Sequence, residues 1–216
     1  MWTRTCVGCD RPGPVICLSC TGEGALRPLG EPVDFVADGR VLDVYDSGLG
    51  RAVAVAKGKP DRRTASVLAR TLRQRACQDP EVFGWLLTAT AVSWIPSPWP
   101  RRLRRGFDLP ALLAAELGSV SRVGRARPLL HVSPGVRQAA TSRRGRQDNL
   151  RGRIRARDRG VEGVVVLVDD VVTTGATASA CARELLGTRV ETVRLITLCQ
   201  AGDAAHRESG HGVQML

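Results

Sequence analysis

Ten consecutive residues, Val168-Asp169-Asp170-Val171-Val172-Thr173-Thr174-Gly175-Ala176-Thr177, bring two carboxylates, three hydroxyls and a glycine together where an apolar run gives way to a helical pattern. The end of a buried strand and the start of a helix is where open α/β sheets bind ligands. The small residues Thr174, Gly175 and Ala176 let backbone N–H groups approach an anion. The hydroxyls of Thr173, Thr174 and Thr177 add donors, and the helix dipole adds positive potential. Two adjacent carboxylates would repel a phosphate, but they suit vicinal hydroxyls, each accepting hydrogen bonds from a ribose 2′- or 3′-OH. A sugar with its 5′-phosphate therefore fits the string end to end. A capped helix with acidic residues at its favoured end accounts for one Asp and one Thr, but not for the pair plus the Thr-Thr-Gly-x-Thr run.

A second cluster lies at the other end of the chain. Cys6, Cys9, Cys17 and Cys20 form two C-x-x-C hooks separated by seven residues. Four thiolates so spaced can surround one zinc ion, and because they close its coordination shell the metal would hold a knuckle together and not catalyse. A redox dithiol is the alternative, although one C-x-x-C would suffice for it. Cys77, Cys181 and Cys199 sit in apolar patterns and read as buried, inert thiols.

The elements that must position these groups follow from periodicity. Gly163 to Val168 is a continuous apolar run, the mark of a strand buried on both faces of a parallel sheet. A helical stretch through Leu186 follows it, then a strand near Val190 to Leu198. Upstream, Val67, Leu68, Thr71 and Leu72 fall at helical spacing, Ala89 to Ile95 reads as a strand stopped by Pro96 and Pro98, and Leu109 to Leu117 is again helical. Alternating strands and helices predict an α/β fold with a central, largely parallel sheet. The chain divides into a zinc-binding knuckle (1–25), a Gly- and Pro-rich connector or hood (26–63) with a short strand at Val33 to Ala37, the α/β domain (64–201) and a flexible polar tail (202–216). No run approaches the roughly 18 apolar residues of a membrane span, and the start lacks a signal-peptide stretch, so a cytoplasmic protein is expected.

Charge narrows the partners. The 216 residues carry a net charge of +11, and all but two of the 32 basic side chains, Lys57 and Lys59, are arginines. Residues 91–160 hold 16 arginines against four acidic residues, the whole of the excess. The planar guanidinium fork suits phosphate, so an anionic ligand or nucleic acid is expected there, with a solvated surface as the plainer alternative. Trp99 and Phe107 flank Arg101, Arg102, Arg104 and Arg105, a thin stacking platform for single-stranded DNA.

The Asp169 to Thr177 string resembles the phosphoribosyl pyrophosphate (PRPP) motif of type I phosphoribosyltransferases. The resemblance extends along most of the chain to the ComF/GntX family of competence-associated proteins, which pairs a four-cysteine zinc segment with a phosphoribosyltransferase domain. Tyr45 with Lys57, Trp94-Ile95-Pro96-Ser97-Pro98, Arg104-Arg105-Gly106-Phe107-Asp108, and Gln138, Arg146 and Asn149 are similar to further family segments. Departures are Ala56 for Leu, Asp108 for Asn, Thr141 for Leu and Ile154 for Phe. The resemblance implies a type I phosphoribosyltransferase fold in which Asp169 and Asp170 hold the ribose hydroxyls. Val171 belongs to the same motif, and Thr173, Thr174, Gly175, Ala176 and Thr177 wrap the 5′-phosphate. Pro96 and Ser97 correspond to the pyrophosphate loop, with Arg105, Arg146 and, more weakly, Lys57 as further pyrophosphate contacts, and Mg²⁺ bridges the ligand.

Three functions fit. One is Mg²⁺-dependent transfer of a phosphoribosyl group to an acceptor for which no general base announces itself. Another is a PRPP-recognising protein that binds single-stranded DNA during DNA uptake. The third is an adaptor docked through the knuckle, which an intact carboxylate string disfavours.

Overall fold

Val164 to Val168 have no polar face to offer water, and the fold encloses them from both sides. The structure is a computed structural model that describes residues 5–22, 24–58, 61–97, 99–133, 153–157 and 160–201. Gln138, Arg146 and Asn149, with Pro98 and the tail from residue 202, lie outside the described residues.

In chain order the elements are α1 (Leu18–Thr21), β1 (Arg27–Pro28), β2 (Asp38–Val44), α2 (Gly48–Gly58), α3 (Arg62–Gln78), α4 (Pro80–Thr88) and β3 (Ala91–Trp94). They continue with α5 (Trp99–Arg105), α6 (Leu109–Val120), β4 (Leu130–Val132), β5 (Ile154–Ala156), β6 (Gly163–Val172), α7 (Ala176–Leu186) and β7 (Val190–Gln200). The central sheet has the order β1-β2-β7-β6-β3. β2, β7, β6 and β3 run parallel and β1 pairs antiparallel on the edge, so the sheet is mixed. β4 and β5 form a separate antiparallel pair.

The helices begin where short polar side chains satisfy their free N–H groups. Asp61 accepts from Arg63 and Thr64 at the start of α3, and Asp79 from Glu81 and Val82 at the start of α4, where Pro80 needs no partner. The second oxygen of Asp79 also accepts from the Leu26 N–H at 3.1 Å, which ties the connector to α4.

The sheet separates two cores. On one side Val166, Val168 and Ile196 pack with Leu49 and Val53 of α2, Leu68 and Leu72 of α3, and Leu113 and Leu117 of α6; the knuckle's Cys6, Ile16 and Cys20 join this core. On the other, Val165, Leu167 and Leu195 pack with Cys181 and Leu185 of α7 and with Leu130 and Ile154.

The α/β alternation expected from periodicity is present. Two differences lie in the connector. The segment expected as a strand at Val33 to Ala37 is a turn, with Phe35 at φ 65°, and the strand starts at Asp38, after the Ala37 N–H has bonded to Val193. That strand, β2, and the helix α2 lie within residues 26–63 yet belong to the central sheet and its core. Cys181 and Cys199 are buried as expected, but Cys77 is exposed on the last turn of α3.

Candidate functional site

β6 reaches further than its neighbour β3. Their pairing ends at Trp94 and Val168, and the Ile95 N–H closes it by bonding to the Val168 carbonyl at 2.9 Å. Asp169 and Asp170 therefore stand beyond the end of β3, beside the loop that holds Pro96 and Ser97. This is the carboxyl edge of the parallel strands, where ligands of such sheets bind.

The two carboxylates have different surroundings. Asp170 is buried, and its Oδ1 accepts from Lys57 Nζ at 2.8 Å. Asp169 is half-buried and accepts the Asp170 N–H at 2.8 Å. Burial and the neighbouring Asp170 charge push its carboxyl well above the ordinary carboxylate range, against the pull of Lys57. Burial also pushes the Cys181 thiol of α7 up, and Asp169 adds to that shift. Asp170 thus meets α2, while the charge of Asp169 reaches α7.

Downstream, Thr173 and Thr174 are exposed and Gly175 starts α7 with φ 66°. Glycine is required there twice over: the backbone is left-handed, and a Cβ would fall 2.8 Å from Val33 Cγ2 of the overlying connector. No side chain caps α7, so its first N–H groups face the loop, with Ala176 and Thr177 half-buried beside them.

Across from the pair, Pro96 is buried and Ser97 Oγ donates to Asp108 Oδ1 at 2.6 Å. Burial pushes the Asp108 carboxyl up. The Ser97 hydrogen bond and the charge of Arg102 oppose the shift, and Asp170 adds to it. Its Oδ2 is buried without a hydrogen-bond partner among the described residues. The structure thus brings Lys57, Asp169, Asp170, Ser97 and Asp108 together, and Arg105 is half-buried on the last turn of α5.

Asp108 was not among the expected site residues. Asp-Leu-Pro before an apolar helix reads as a helix cap, and Asp108 does occupy the N-cap position of α6, but its side chain turns to Ser97 instead of the helix. Lys57, expected as a weaker pyrophosphate contact, pairs with Asp170 in this structure.

The four cysteines converge at the other pole of α2. The Sγ atoms of Cys6, Cys9, Cys17 and Cys20 lie within 4.8 Å of one another, and Cys9 and Cys17 are 3.7 Å apart. Metal–sulfur bonds of about 2.3 Å around a tetrahedral ion place sulfurs roughly 3.8 Å apart, so this cluster could hold one such ion. The environment already favours thiolate at two positions. Arg11 Nε donates to Cys9 Sγ at 3.3 Å and brings that thiol down to about 6. Burial of Cys6 acts upward but is outweighed by N–H groups of Cys17 and Gly8 that point at its sulfur from 3.3 and 3.4 Å. The knuckle rests on α2, where Cys20 Sγ lies against Gly48 and Asp10 pairs with Arg51 at 2.8 Å.

The described residues contain no helix long and apolar enough to cross a membrane. No family model matches the chain. Two curated relatives do, both called DNA utilization protein YhgH, one from Salmonella typhimurium strain LT2 and one from Salmonella typhi. Each is 33% identical over 166 residues, covering 74% of this chain and 72% of the relative. At that identity and coverage, a chain with a four-cysteine cluster at one end and a carboxylate pair at its sheet edge belongs to the family of DNA utilization protein YhgH.

Proposed function

We propose that this chain is a ComF/GntX-type protein that binds single-stranded DNA during DNA uptake or use and recognises PRPP at its sheet edge. Kinship with a protein of DNA utilization carries the nucleic-acid part of the reading. The 16 arginines of residues 91–160 support it, since they exceed what one small pyrophosphorylated sugar can engage.

In this reading the α/β part is a phosphoribosyltransferase-type domain that begins at β2. Asp169 and Asp170 accept from the ribose hydroxyls. Thr173 to Thr177 and the uncapped start of α7 receive the 5′-phosphate, where dipole and N–H groups favour an anion. Lys57, 2.8 Å from Asp170, would be released to contact the pyrophosphate when the sugar hydroxyls take over that carboxylate. Ser97 and Arg105 stand on the pyrophosphate side, and Arg146 is proposed from its motif alone. Mg²⁺ would neutralise charge between the carboxylates and the pyrophosphate. Zinc in the four-cysteine knuckle would be structural.

A second reading keeps the same ligand and adds chemistry, the Mg²⁺-dependent transfer of the phosphoribosyl group. The complete Asp-Asp-x-x-Thr-Thr-Gly string favours it, because binding DNA alone has no use for a ribose site.

Titration with PRPP and Mg²⁺ by calorimetry, and with labelled single-stranded DNA by anisotropy, tests both parts. Binding of both ligands is expected. DNA binding without PRPP would leave only the nucleic-acid function, and pyrophosphate release on adding candidate acceptors would establish the transferase. Binding of neither would end the proposal.

A further inference from the structure

The helix α5 stands at the rim of the carboxylate site, between two residues joined by one hydrogen bond. Ser97 precedes it, Asp108 follows it, and their side chains meet at 2.6 Å. The helix offers water an unusual surface. Trp99 is 63% exposed and Leu103 66%, and a spacing of four places both on one ridge of a two-turn helix. Arg102 and Arg104 are exposed beside them, and the helix contains no acidic residue. Phe107, expected to share a platform with Trp99, packs against the core instead, and Leu103 takes its place on the surface.

Two large apolar side chains held in water among arginines call for a partner that is apolar over a small area and anionic around it. An unpaired nucleic-acid strand has this composition, since each base offers an apolar face and each linkage a negative charge. A duplex does not, because its faces are already stacked. An anionic bilayer also attracts basic amphipathic helices, but it rewards a broad apolar face, and α5 presents a ridge one side chain wide.

We propose that the exposed face of α5 is the seat of a single strand, with Trp99 and Leu103 against base faces and Arg102 and Arg104 against the flanking phosphates. The inference rests on the DNA-binding reading above and names its surface.

The test titrates the full chain with an oligothymidylate at low salt, following anisotropy and tryptophan fluorescence. Its variants are Trp99→Ala, Trp99→Phe and the pair Arg102→Gln with Arg104→Gln, all at exposed positions so that the fold is retained, with circular dichroism as the check. Trp99→Ala is expected to weaken binding about 5- to 100-fold, from the value of one base–aromatic stack, and Trp99→Phe to restore most of it. Its log–log salt slope should match the parent's, whereas removing the two arginines should flatten the slope by roughly 1.4. Full affinity in Trp99→Ala would overturn the seat while leaving DNA binding in place. No binding by the parent would overturn both. A blue shift of tryptophan emission on vesicles of phosphatidylglycerol that is lost in Trp99→Ala and that the oligonucleotide cannot reverse would make α5 a membrane anchor and also overturn the proposal.

Discussion

At the scale of residues, two adjacent aspartates with the same sequence signal have different energetics. Asp170 has a counterion in Lys57, whereas Asp169 is pushed toward its neutral form by burial and by Asp170. A carboxyl whose value is higher folded than unfolded binds its proton more tightly in the native state. Its contribution to stability is greatest when it is protonated and falls as pH rises from about 4 through the folded value. Asp108 is raised in the same direction. Asp169→Asn is therefore expected to raise the melting temperature at neutral pH and to lessen the loss of stability on going up from acid pH, as scanning calorimetry at several pH values would measure. Asp170→Asn should lower the melting temperature, costing about 1–3 kcal/mol in urea unfolding because Lys57 loses its partner. Each change should weaken PRPP binding by roughly 10- to 100-fold through loss of a charge-assisted hydrogen bond. A variant of either residue that binds PRPP like the parent would remove the ribose assignment. The carboxylates were legible in the sequence because no ordinary helix start needs both. Asp108 was not, since a residue with a capping position and a capping side chain gives no sign that it faces elsewhere.

At the scale of elements, the buried strands β6 and β7 were legible from their apolar runs, and α3 and α6 from their period. The connector was not. α2 carries Ala52-Val53-Ala54-Val55-Ala56, a stretch with no polar face to show its period, and it is helical because Leu49, Val53 and Ala56 find the core beside α3. It begins against the knuckle and carries Lys57 in its last turn, so its start has little room. A Cβ at Gly48 would fall 2.6 Å from Cys20 Sγ. Gly48→Ala must displace the cysteine hook or the helix, and overpacking of this kind costs about 1–3 kcal/mol. In protein loaded with zinc, the expected result is faster loss of the metal to a chelator, read with a colorimetric zinc indicator, and a lower melting temperature. Unchanged zinc release would mean that the knuckle moves freely on α2.

At the scale of the whole molecule, charge and chemistry are divided along the chain and rejoined by the fold. The arginine excess lies in residues 91–160 and the carboxylate string in residues 168–177, yet β3 and β6 are neighbours, so the arginine-rich α5 and the carboxylates share one sheet edge. Composition exposed the arginine excess and residue spacing the carboxylate string, and the pairing of β3 with β6 brings the two to one edge. The Ser97–Asp108 hydrogen bond at the root of α5 has a thermodynamic corollary. Asp170 adds to the upward push on the Asp108 carboxyl that holds Ser97, so a ligand that neutralised Asp170 would act on the clasp at the root of α5, and linkage would make that effect reciprocal. Whatever factor PRPP with Mg²⁺ imposes on the dissociation constant for a strand, the strand must impose on PRPP. A factor of at least about five in both directions, measured by two independent titrations, is the expected outcome in the parent, and Ser97→Ala should bring it toward one. A protein that bound both proposed ligands with such coupling would be a two-input device, in which the occupancy of a sugar-phosphate site reports whether a strand is present.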